Sequence, residues 1–271
     1  MPNYTLSERL AVAIDIAHEA GRMISRAREQ QGFDHRYKDG HELVTDIDVE
    51  VDTFITQRLN SLFPGDGILS EELAPERDNI AQAKALWVID PIDGTVNFAH
   101  GLRHVAVSIA WVEEGKARLG VVHAPFLQET FSAVEGGGAH CNSQPIRVST
   151  EDQLARSLIG TGFPYRRESR QALLKRFTQV INECQDIRRN GSAALDLCDV
   201  ACGRLDGYYE SVSPWDFAAG WVIAQEAGAS VSHLYPVPSG IPADLHGENL
   251  VVATPAIHSA LEKLLRESDG E

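Results

Sequence analysis

The sequence lacks the strong signals of a membrane or nucleic-acid-binding protein. No run of about 18 apolar residues occurs in the chain, which argues against a membrane span. Basic residues are outnumbered, with 24 Lys and Arg against 39 Asp and Glu and a net charge of −15. We therefore expect no direct nucleic-acid or membrane partner. The N-terminus also lacks a basic segment followed by an apolar stretch, so we expect a cytoplasmic protein.

Cysteine is scarce, and repeats, low-complexity runs and flexible linkers are absent. The four cysteines, at positions 141, 184, 198 and 202, show no C-x-x-C spacing, so we expect small reduced core residues. Hydrophobic residues make up 43% and charged residues 23% of the 271 positions, which is ordinary for a globular protein with a substantial core.

The patterning divides the chain into two halves of one compact body. Apolar residues recur at helical spacing over residues 6–28 and again from Asp46, on either side of a charged loop through KDGHELVT. Strand-like segments separated by turn residues then occupy 86–148, and helices alternate with strands from 149 onward. We therefore expect an α/β (α+β) fold. A mostly antiparallel N-terminal subdomain would span 1–148, and a C-terminal α/β subdomain 149–271.

The apolar run LWVI leads straight into DPIDGT. We expect a buried strand that delivers Asp90 at its end, where Pro91 stops the ladder because it has no N–H to donate. Gly94 permits a sharp turn, and Thr95 begins a short helix whose first N–H groups suit a phosphate. The turn thus presents Asp90 and Asp93 together. An ordinary turn with side-chain hydrogen bonds is the alternative use of the same residues.

Further acids lie at the ends of other predicted elements. Glu71 and Glu72 end a second apolar strand, Asp46 opens a helix, and Asp216 in PWDFAAG is predicted to be a helix N-cap. Surface charge or capping explains each acid taken alone. Together they form an all-oxygen set without paired His or Cys ligands, which favours a hard cation such as Mg²⁺.

These motifs resemble the inositol monophosphatase family of Mg²⁺-dependent, lithium-sensitive phosphatases. The resemblance covers nearly the whole chain and rests on segments that occur in the family's order: KDGHELVTDID, GILSEE, WVIDPIDGTVNFAHG, VAVSIA, GVVHAP, GGGAHCN, GSAALDLCDVACGRLDGYYE and WDFAAG. It implies a layered αβαβα sandwich, an active site at the seam between the two halves, and the homodimer that is usual in the family.

The resemblance also implies roles for individual residues. One Mg²⁺ would bind Glu71, Asp90 and the carbonyl of Ile92, a second would bind Asp90, Asp93 and Asp216, and an optional third would lie near Glu71 and Asp46. Glu71, Asp46 and Thr95 match the catalytic positions around the attacking water. The positions that match substrate contacts are Lys38, Ile92, Asp93, Gly94, Thr95, Gly191, Ser192, Ala193, Glu210 and Asp216.

One position departs from the family pattern. The family usually has a glutamate seven residues before the aspartate of its WD motif, whereas Glu210 lies six residues before Asp216. The resemblance implies hydrolysis of a small phosphorylated polyol, with inositol 1-phosphate as the default substrate. Histidinol phosphate, fructose 1,6-bisphosphate and a nucleotide 3'-phosphate are the alternative substrates, and the shorter loop keeps histidinol phosphate open in particular. A regulatory role through a partner in the transcription machinery is the alternative from another class, and the intact acid set favours catalysis.

Overall fold

The computed structural model describes residues 4–30, 33–38, 42–73, 83–163 and 170–270. Its helices are α1 (Leu6–Gln30), α2 (Asp46–Leu62), α3 (Thr95–Ala99), α4 (Arg170–Glu183), α5 (Ala193–Ala201), α6 (Pro214–Glu226) and α7 (Pro255–Asp269). Its strands are β1 (His35–Lys38), β2 (Glu42–Thr45), β3 (Gly67–Ser70), β4 (Ala85–Asp93), β5 (Ala106–Glu113), β6 (Lys116–Ala124), β7 (Glu129–Val134), β8 (Gly138–Cys141), β9 (Gln144–Pro145), β10 (Leu158–Thr161), β11 (Asp186–Arg188), β12 (Gly207–Glu210), β13 (Ser230–His233) and β14 (Leu250–Ala253).

The helices and two large sheets form the αβαβα sandwich that the family resemblance implies. Strands β3 to β9 make a seven-stranded sheet in chain order, antiparallel except for the β3–β4 pair. A mixed five-stranded sheet has the order β11-β10-β12-β14-β13. Helices α1 and α2 pack on one face of the first sheet, α5 and α6 lie between the sheets, and α4 and α7 pack on the outer face of the second.

Helix α6 occupies the middle layer because its sequence is apolar on every side. Its first eleven residues are all buried except Asp216, and a helix that is apolar all round must be covered all round. It approaches β6 so closely that a Cβ on Gly120 would lie 2.3 Å from the carbonyl oxygen of Ala219. The rigid middle layer therefore carries Asp216 to the first sheet.

A half-buried acid anchors α1 to the first sheet. Asp66 Oδ2 accepts hydrogen bonds from Arg9 at 2.5 Å, from the Trp87 indole at 3.0 Å and from the Trp111 indole at 3.1 Å. The Arg9 guanidinium also lies over the Trp111 ring, 4.3 Å from its centroid. Each buried donor thus has an acceptor, which offsets the cost of burying the charges.

The first sheet differs from the sequence prediction at β4. The strand does not stop at Pro91; Asp90 pairs with Ser108 and Asp93 pairs with Ala106, so β4 holds one extra residue between them. This β-bulge accommodates the missing N–H of Pro91 and lets the ladder continue. The predicted end of pairing at Asp90 is therefore wrong, and both aspartates belong to one strand.

Other differences are shorter elements that sequence periodicity did not mark. β1 and β2 form an antiparallel pair where a charged loop was expected, and β11 joins the second sheet parallel to β10. The subdomain boundary at residues 148 and 149 stays a prediction; the chain passes from the first sheet to the second between Pro145 and Leu158. Within the described ranges, no helix combines the length and hydropathy needed to cross a bilayer.

Candidate active site

Three carboxylates from two distant parts of the chain meet at the end of β4. Asp90, Asp93 and Asp216 each offer an oxygen, and these oxygens lie within 4.8 Å of one another. Asp90 is 1% exposed and Asp93 is 7% exposed. In the part of the chain that the structure describes, no other group of three or more His, Cys, Asp or Glu side chains is placed to share a metal ion.

Burial disfavours the charged forms of these three carboxyl groups. It raises the pKa of Asp93 to about 6, although hydrogen bonds oppose the shift, and with the charge of Asp93 it raises the pKa of Asp216 to about 8. The pKa of Asp90 is raised well above its usual range, first by burial and then by the charge of Glu71. A divalent cation would remove this repulsion. The carboxylate oxygens are the ligands that Mg²⁺ prefers, so the residues fit that ion.

Glu71 reaches Asp90 because β3 and β4 are parallel and end at the same edge of the sheet. It follows β3 directly, and its N–H donates to the carbonyl oxygen of Ile89 at 3.3 Å. The carbonyl oxygen of Ile92 lies in the bulge of β4, 3.1 Å from Thr95 Oγ1. The structure thus brings the predicted ligands of the first metal to one edge.

The acid that contacts Thr95 is Asp48, and the expectation for Asp46 is corrected. Thr95 Oγ1 lies 2.9 Å from Asp48 Oδ1. Because the hydroxyl has one proton, it serves either this carboxylate or the Ile92 carbonyl, and the charged oxygen is the stronger acceptor. Asp46 is exposed and accepts from the Asp34 N–H at 3.1 Å. Burial raises the pKa of Asp48 to about 6.

Two acids of the site are the third residue of a helix, and each accepts a hydrogen bond from the N–H of the residue that caps that helix. Thr45 is the N-cap of α2, and its N–H donates to Asp48 Oδ2 at 2.9 Å. Ser213 is the N-cap of α6, and its N–H donates to Asp216 Oδ2 at 2.7 Å. The prediction of Asp216 as an N-cap is therefore wrong by three positions. The spacing Thr-x-x-Asp and Ser-x-x-Asp is a capping-box signal that would have marked both acids.

The first turn of α5 is bonded to the metal-site acid Asp93. Ser192 is the N-cap of α5, and its hydroxyl donates to Asp93 Oδ2 at 2.6 Å. The Ala194 N–H donates to the same oxygen at 2.8 Å. Gly191, with φ of +86°, turns the chain into this helix, and Ala193 is its first residue. The predicted substrate strip from Gly191 to Ala193 therefore adjoins the acid cluster.

The turn at Gly94 joins the two halves of the chain. Gly94 has φ of +94°, and a Cβ there would lie 2.7 Å from the His104 carbonyl oxygen and 3.1 Å from that of Gly191, so only glycine fits. Asn97 Nδ2 donates to the carbonyls of His104 at 2.7 Å and Asn190 at 2.8 Å. Sequence patterns did not single out this asparagine. Gly94 is the N-cap of α3, so the first N–H groups of that helix lack intrahelical acceptors.

Glu210 ends β12 and points into a confined space despite the shortened loop. The Tyr208 hydroxyl donates to Glu210 Oε2 at 2.6 Å, and a Cβ on Gly162 would lie 2.1 Å from each carboxylate oxygen. Burial raises the pKa of Glu210 to about 7. Asp196, 2% exposed, is a further buried acid of this region that the sequence did not mark. Lys38 ends β1, and its side chain lies outside the described part of the structure.

Comparisons with known proteins find matches over nearly the whole chain. The model of the inositol monophosphatase family matches residues 5–269. The Nus factor SuhB of Vibrio cholerae is 36% identical over 264 residues, covering 96% of each chain. An inositol monophosphatase of Dictyostelium discoideum is 35% identical over 271 residues, covering 98% of each. The solved structure of an IMPase from Thermotoga maritima is 34% identical with a TM-score of 0.85, covering 97% of this chain and 98% of its own.

Proposed function

We propose, from the premise that this chain belongs to the inositol monophosphatase family, that it is a Mg²⁺-dependent phosphatase of small phosphorylated polyols. Inositol 1-phosphate is the substrate we propose first. Hydrolysis would use water directly, without a covalent enzyme intermediate. Two or three Mg²⁺ ions would be held by Glu71, Asp90, Asp93, Asp216 and the carbonyl of Ile92.

The observation that carries the proposal is the buried cluster of Asp90, Asp93 and Asp216 beside the Asp48–Thr95 pair. A buried set of acids with raised pKa values suits metal-assisted hydrolysis. When bound, Mg²⁺ supplies charge neutralisation and lowers the pKa of a coordinated water. The remaining steps fall to the side chains of this chain.

Asp48 and Thr95 are proposed to orient and deprotonate the attacking water. The proton of Thr95 Oγ1 is directed at Asp48 Oδ1, which leaves the lone pairs of that hydroxyl to accept from a water. As the water attacks, its proton passes to Thr95 Oγ1, and the threonine proton passes to Asp48 Oδ1. The bond from phosphorus to the alcohol oxygen breaks, and the leaving alkoxide takes its proton from a second water. Thr45 donates to the other oxygen of Asp48 and keeps the carboxylate in place.

The backbone N–H groups of Gly94, the N-cap of α3, and Thr95, its first residue, are proposed to bind the phosphate oxygens. The strip from Gly191 to Ala193 and Glu210 would face the substrate alcohol. A carboxylate accepts from hydroxyl groups, so Glu210 suits a polyol. Histidinol phosphate, fructose 1,6-bisphosphate and a nucleotide 3'-phosphate are the alternative substrates.

Phosphate release tests the proposal directly. Inositol 1-phosphate and the alternative substrates are each assayed with Mg²⁺, with EDTA, and with Mg²⁺ plus lithium. We expect release from inositol 1-phosphate that EDTA abolishes and lithium inhibits. Absence of release from every substrate would refute the phosphatase proposal, and a preference for another ester would change the substrate alone.

An Asp216→Asn variant is the control for the metal role of Asp216. Asparagine keeps an oxygen that can accept from the Ser213 N–H, so the helix start is retained while the charge is lost. We expect a folded protein with turnover reduced by a factor of about 100 or more. Full activity would reduce Asp216 to a structural residue of α6.

We also propose that the protein is a cytoplasmic homodimer. No direct nucleic-acid contact is proposed because of the acidic net charge of −15.

Alongside catalysis, we propose a role with a partner in the transcription machinery. The name Nus factor, carried by a relative, supports this partner. An inactive Asp93→Asn variant separates the two roles. Retained capture of RNA polymerase by that variant would support the second role, and capture by neither protein would argue against it.

A further inference from the structure

We propose that Asp52 is a positioning residue that holds Glu71 at the metal site. Asp52 lies on α2 and is fully buried, with 0% exposure. Its Oδ2 accepts hydrogen bonds from the N–H of Glu72 at 3.0 Å and of Leu73 at 3.2 Å. These are the two residues that follow Glu71, so one buried carboxylate binds the turn on which the ligand stands.

The other carboxylate oxygen of Asp52 lies near a threonine hydroxyl. Thr56 Oγ1 lies 3.1 Å from Asp52 Oδ1, one helical turn further along α2, and it also contacts the Asp52 carbonyl. A carboxylate removed from water is costly unless its oxygens accept hydrogen bonds. Backbone N–H groups that bond a charged oxygen form some of the stronger hydrogen bonds in proteins. The arrangement therefore fixes the turn after β3 more firmly than two neutral contacts would.

Glu71 needs such support because the sheet ends just before it. β3 stops at Ser70, and the Glu71 N–H contact to Ile89 is long, at 3.3 Å. The Asp52 contacts secure the chain on the other side of Glu71. Groups that orient a metal ligand without touching the metal commonly alter metal affinity by about 10–100-fold when they are removed.

The same helix serves two parts of the site. Asp48 and Asp52 are four residues apart on α2, which places them on one face of the helix. Asp48 contacts Thr95 and Asp52 contacts the turn of Glu71. A single rigid helix thereby sets the position of the water-side acid relative to a metal ligand.

The inference rests on the proposed metal site, so its test measures metal binding without substrate. Mn²⁺, which binds the same oxygen ligands, is titrated into the full-length protein and followed by electron paramagnetic resonance. The proteins are wild type, Asp52→Ala, Asp52→Asn, Glu71→Gln and the double variant Asp52→Ala/Glu71→Gln. Asp206→Asn is the matched control, because Asp206 Oδ2 likewise accepts a hydrogen bond from a backbone N–H, that of Leu158, at 2.7 Å. Asp206 directly precedes β12, at the opposite end of that strand from Glu210.

We expect Asp52→Ala to weaken Mn²⁺ binding about 10-fold or more, and Asp52→Asn, whose amide oxygen can still accept, to weaken it less. In the Glu71→Gln background the added Asp52→Ala change should cost under about 2-fold, because the two residues act as one unit. Asp206→Asn should bind as wild type does. In assays, excess Mg²⁺ should restore the turnover of Asp52→Asn, and its KM for inositol 1-phosphate should not change.

Two results would overturn the role of Asp52: wild-type Mn²⁺ affinity in a folded Asp52→Ala protein, or losses from Asp52→Ala and Glu71→Gln that simply add. If Asp52→Ala does not fold, as judged by thermal unfolding, Asp52→Asn carries the test, and wild-type affinity in that variant rejects the role. Failure of the wild-type protein to bind Mn²⁺ would instead reject the metal site itself.

Discussion

Replacement of Asp48 by asparagine separates catalysis from stability at the start of α2. The wild-type carboxylate accepts from the Thr45 N–H at 2.9 Å, from the Thr45 hydroxyl at 2.5 Å and from the Thr95 hydroxyl at 2.9 Å. The Asn amide oxygen can retain the bond from the Thr45 N–H. Its NH₂ group cannot accept a proton, so the proton of Thr95 Oγ1 no longer has a carboxylate to accept it.

The two effects differ strongly in size. Loss or weakening of a helix-start contact costs about 0.5–2 kcal/mol of unfolding free energy, and ~1 kcal/mol moves the melting temperature of a protein this long by roughly 2–4 °C. Removal of a general base lowers turnover by about 10²–10⁴-fold. A stability loss of that size leaves nearly all molecules folded at 25 °C, since total stabilities are about 5–15 kcal/mol. The fall in kcat therefore cannot come from unfolding.

The assay is phosphate release at saturating Mg²⁺ and inositol 1-phosphate, with melting temperatures measured in parallel. Asp46→Asn is the matched control, because Asp46 is exposed and the only hydrogen bond described for its side chain comes from the Asp34 N–H; we expect activity within about 2-fold of wild type, as for ordinary surface changes. Thr95→Ala combined with Asp48→Asn should lose little more than either alone, because the pair acts as a unit. Wild-type turnover in Asp48→Asn, or a large loss in Asp46→Asn, would refute the assignment.

Three further predictions follow from burial and close packing. The folded pKa values of Asp93, about 6, and Asp216, about 8, lie above the ordinary value of an aspartate. Protonation of these two side chains therefore stabilises the metal-free fold. This stabilisation is full below about pH 4 and is lost as pH rises through the two folded pKa values. Melting in EDTA should therefore show a loss of stability from pH 5 to 8.5 that Mg²⁺ reverses and that the Asp93→Asn/Asp216→Asn variant flattens; an unchanged slope in that variant would contradict the assignment. Gly162→Ala should raise KM for inositol 1-phosphate by about 10-fold or more, because its Cβ displaces the Glu210 carboxylate, with unchanged kinetics on p-nitrophenyl phosphate; an unaltered inositol phosphate KM would show that Glu210 does not bind the alcohol. Asp66→Ala, which removes the acceptor of a half-buried guanidinium and of two buried indole N–H groups, should cost about 3–5 kcal/mol in urea unfolding, and a loss under 1 kcal/mol would show that water replaces the carboxylate.

Much of the architecture was accessible from local patterns. The helical spacing around Leu10 and Ile14 and the apolar run before Asp90 report burial, and burial is what orders the layers of the sandwich. The family resemblance, confirmed by the match over residues 5–269, extends this to the complete fold. The short strands β1 and β11 escaped because four- and three-residue elements carry too few positions to show a period.

The buried acids show where local patterns stop. Asp52 looks like one more charge on an amphipathic helix, and only the packing of α2 against the turn after β3 reveals that it is 0% exposed. The loop after Glu210 is one residue shorter than the family pattern, so the sequence leaves the position of its side chain open. The structure shows that the Tyr208 hydroxyl donates to the Glu210 carboxylate and that Gly162 leaves room for it; these residues lie two and 48 positions away in the chain. Contacts such as those of Asp52 and Gly162 join residues that are far apart in the chain, and sequence spacing does not show which of these meet in space.

By itself, the sequence determined that acids stand at the ends of apolar strands and helices, because strand and helix periodicities and turn chemistry act over a few residues. Only the tertiary structure decided which of them meet. Asp46 and Asp48 are two residues apart on a helix of 3.6 residues per turn, so they point about 200° apart, and the packing of α2 against the turn after β4 determines that Asp48 reaches Thr95 while Asp46 faces solvent.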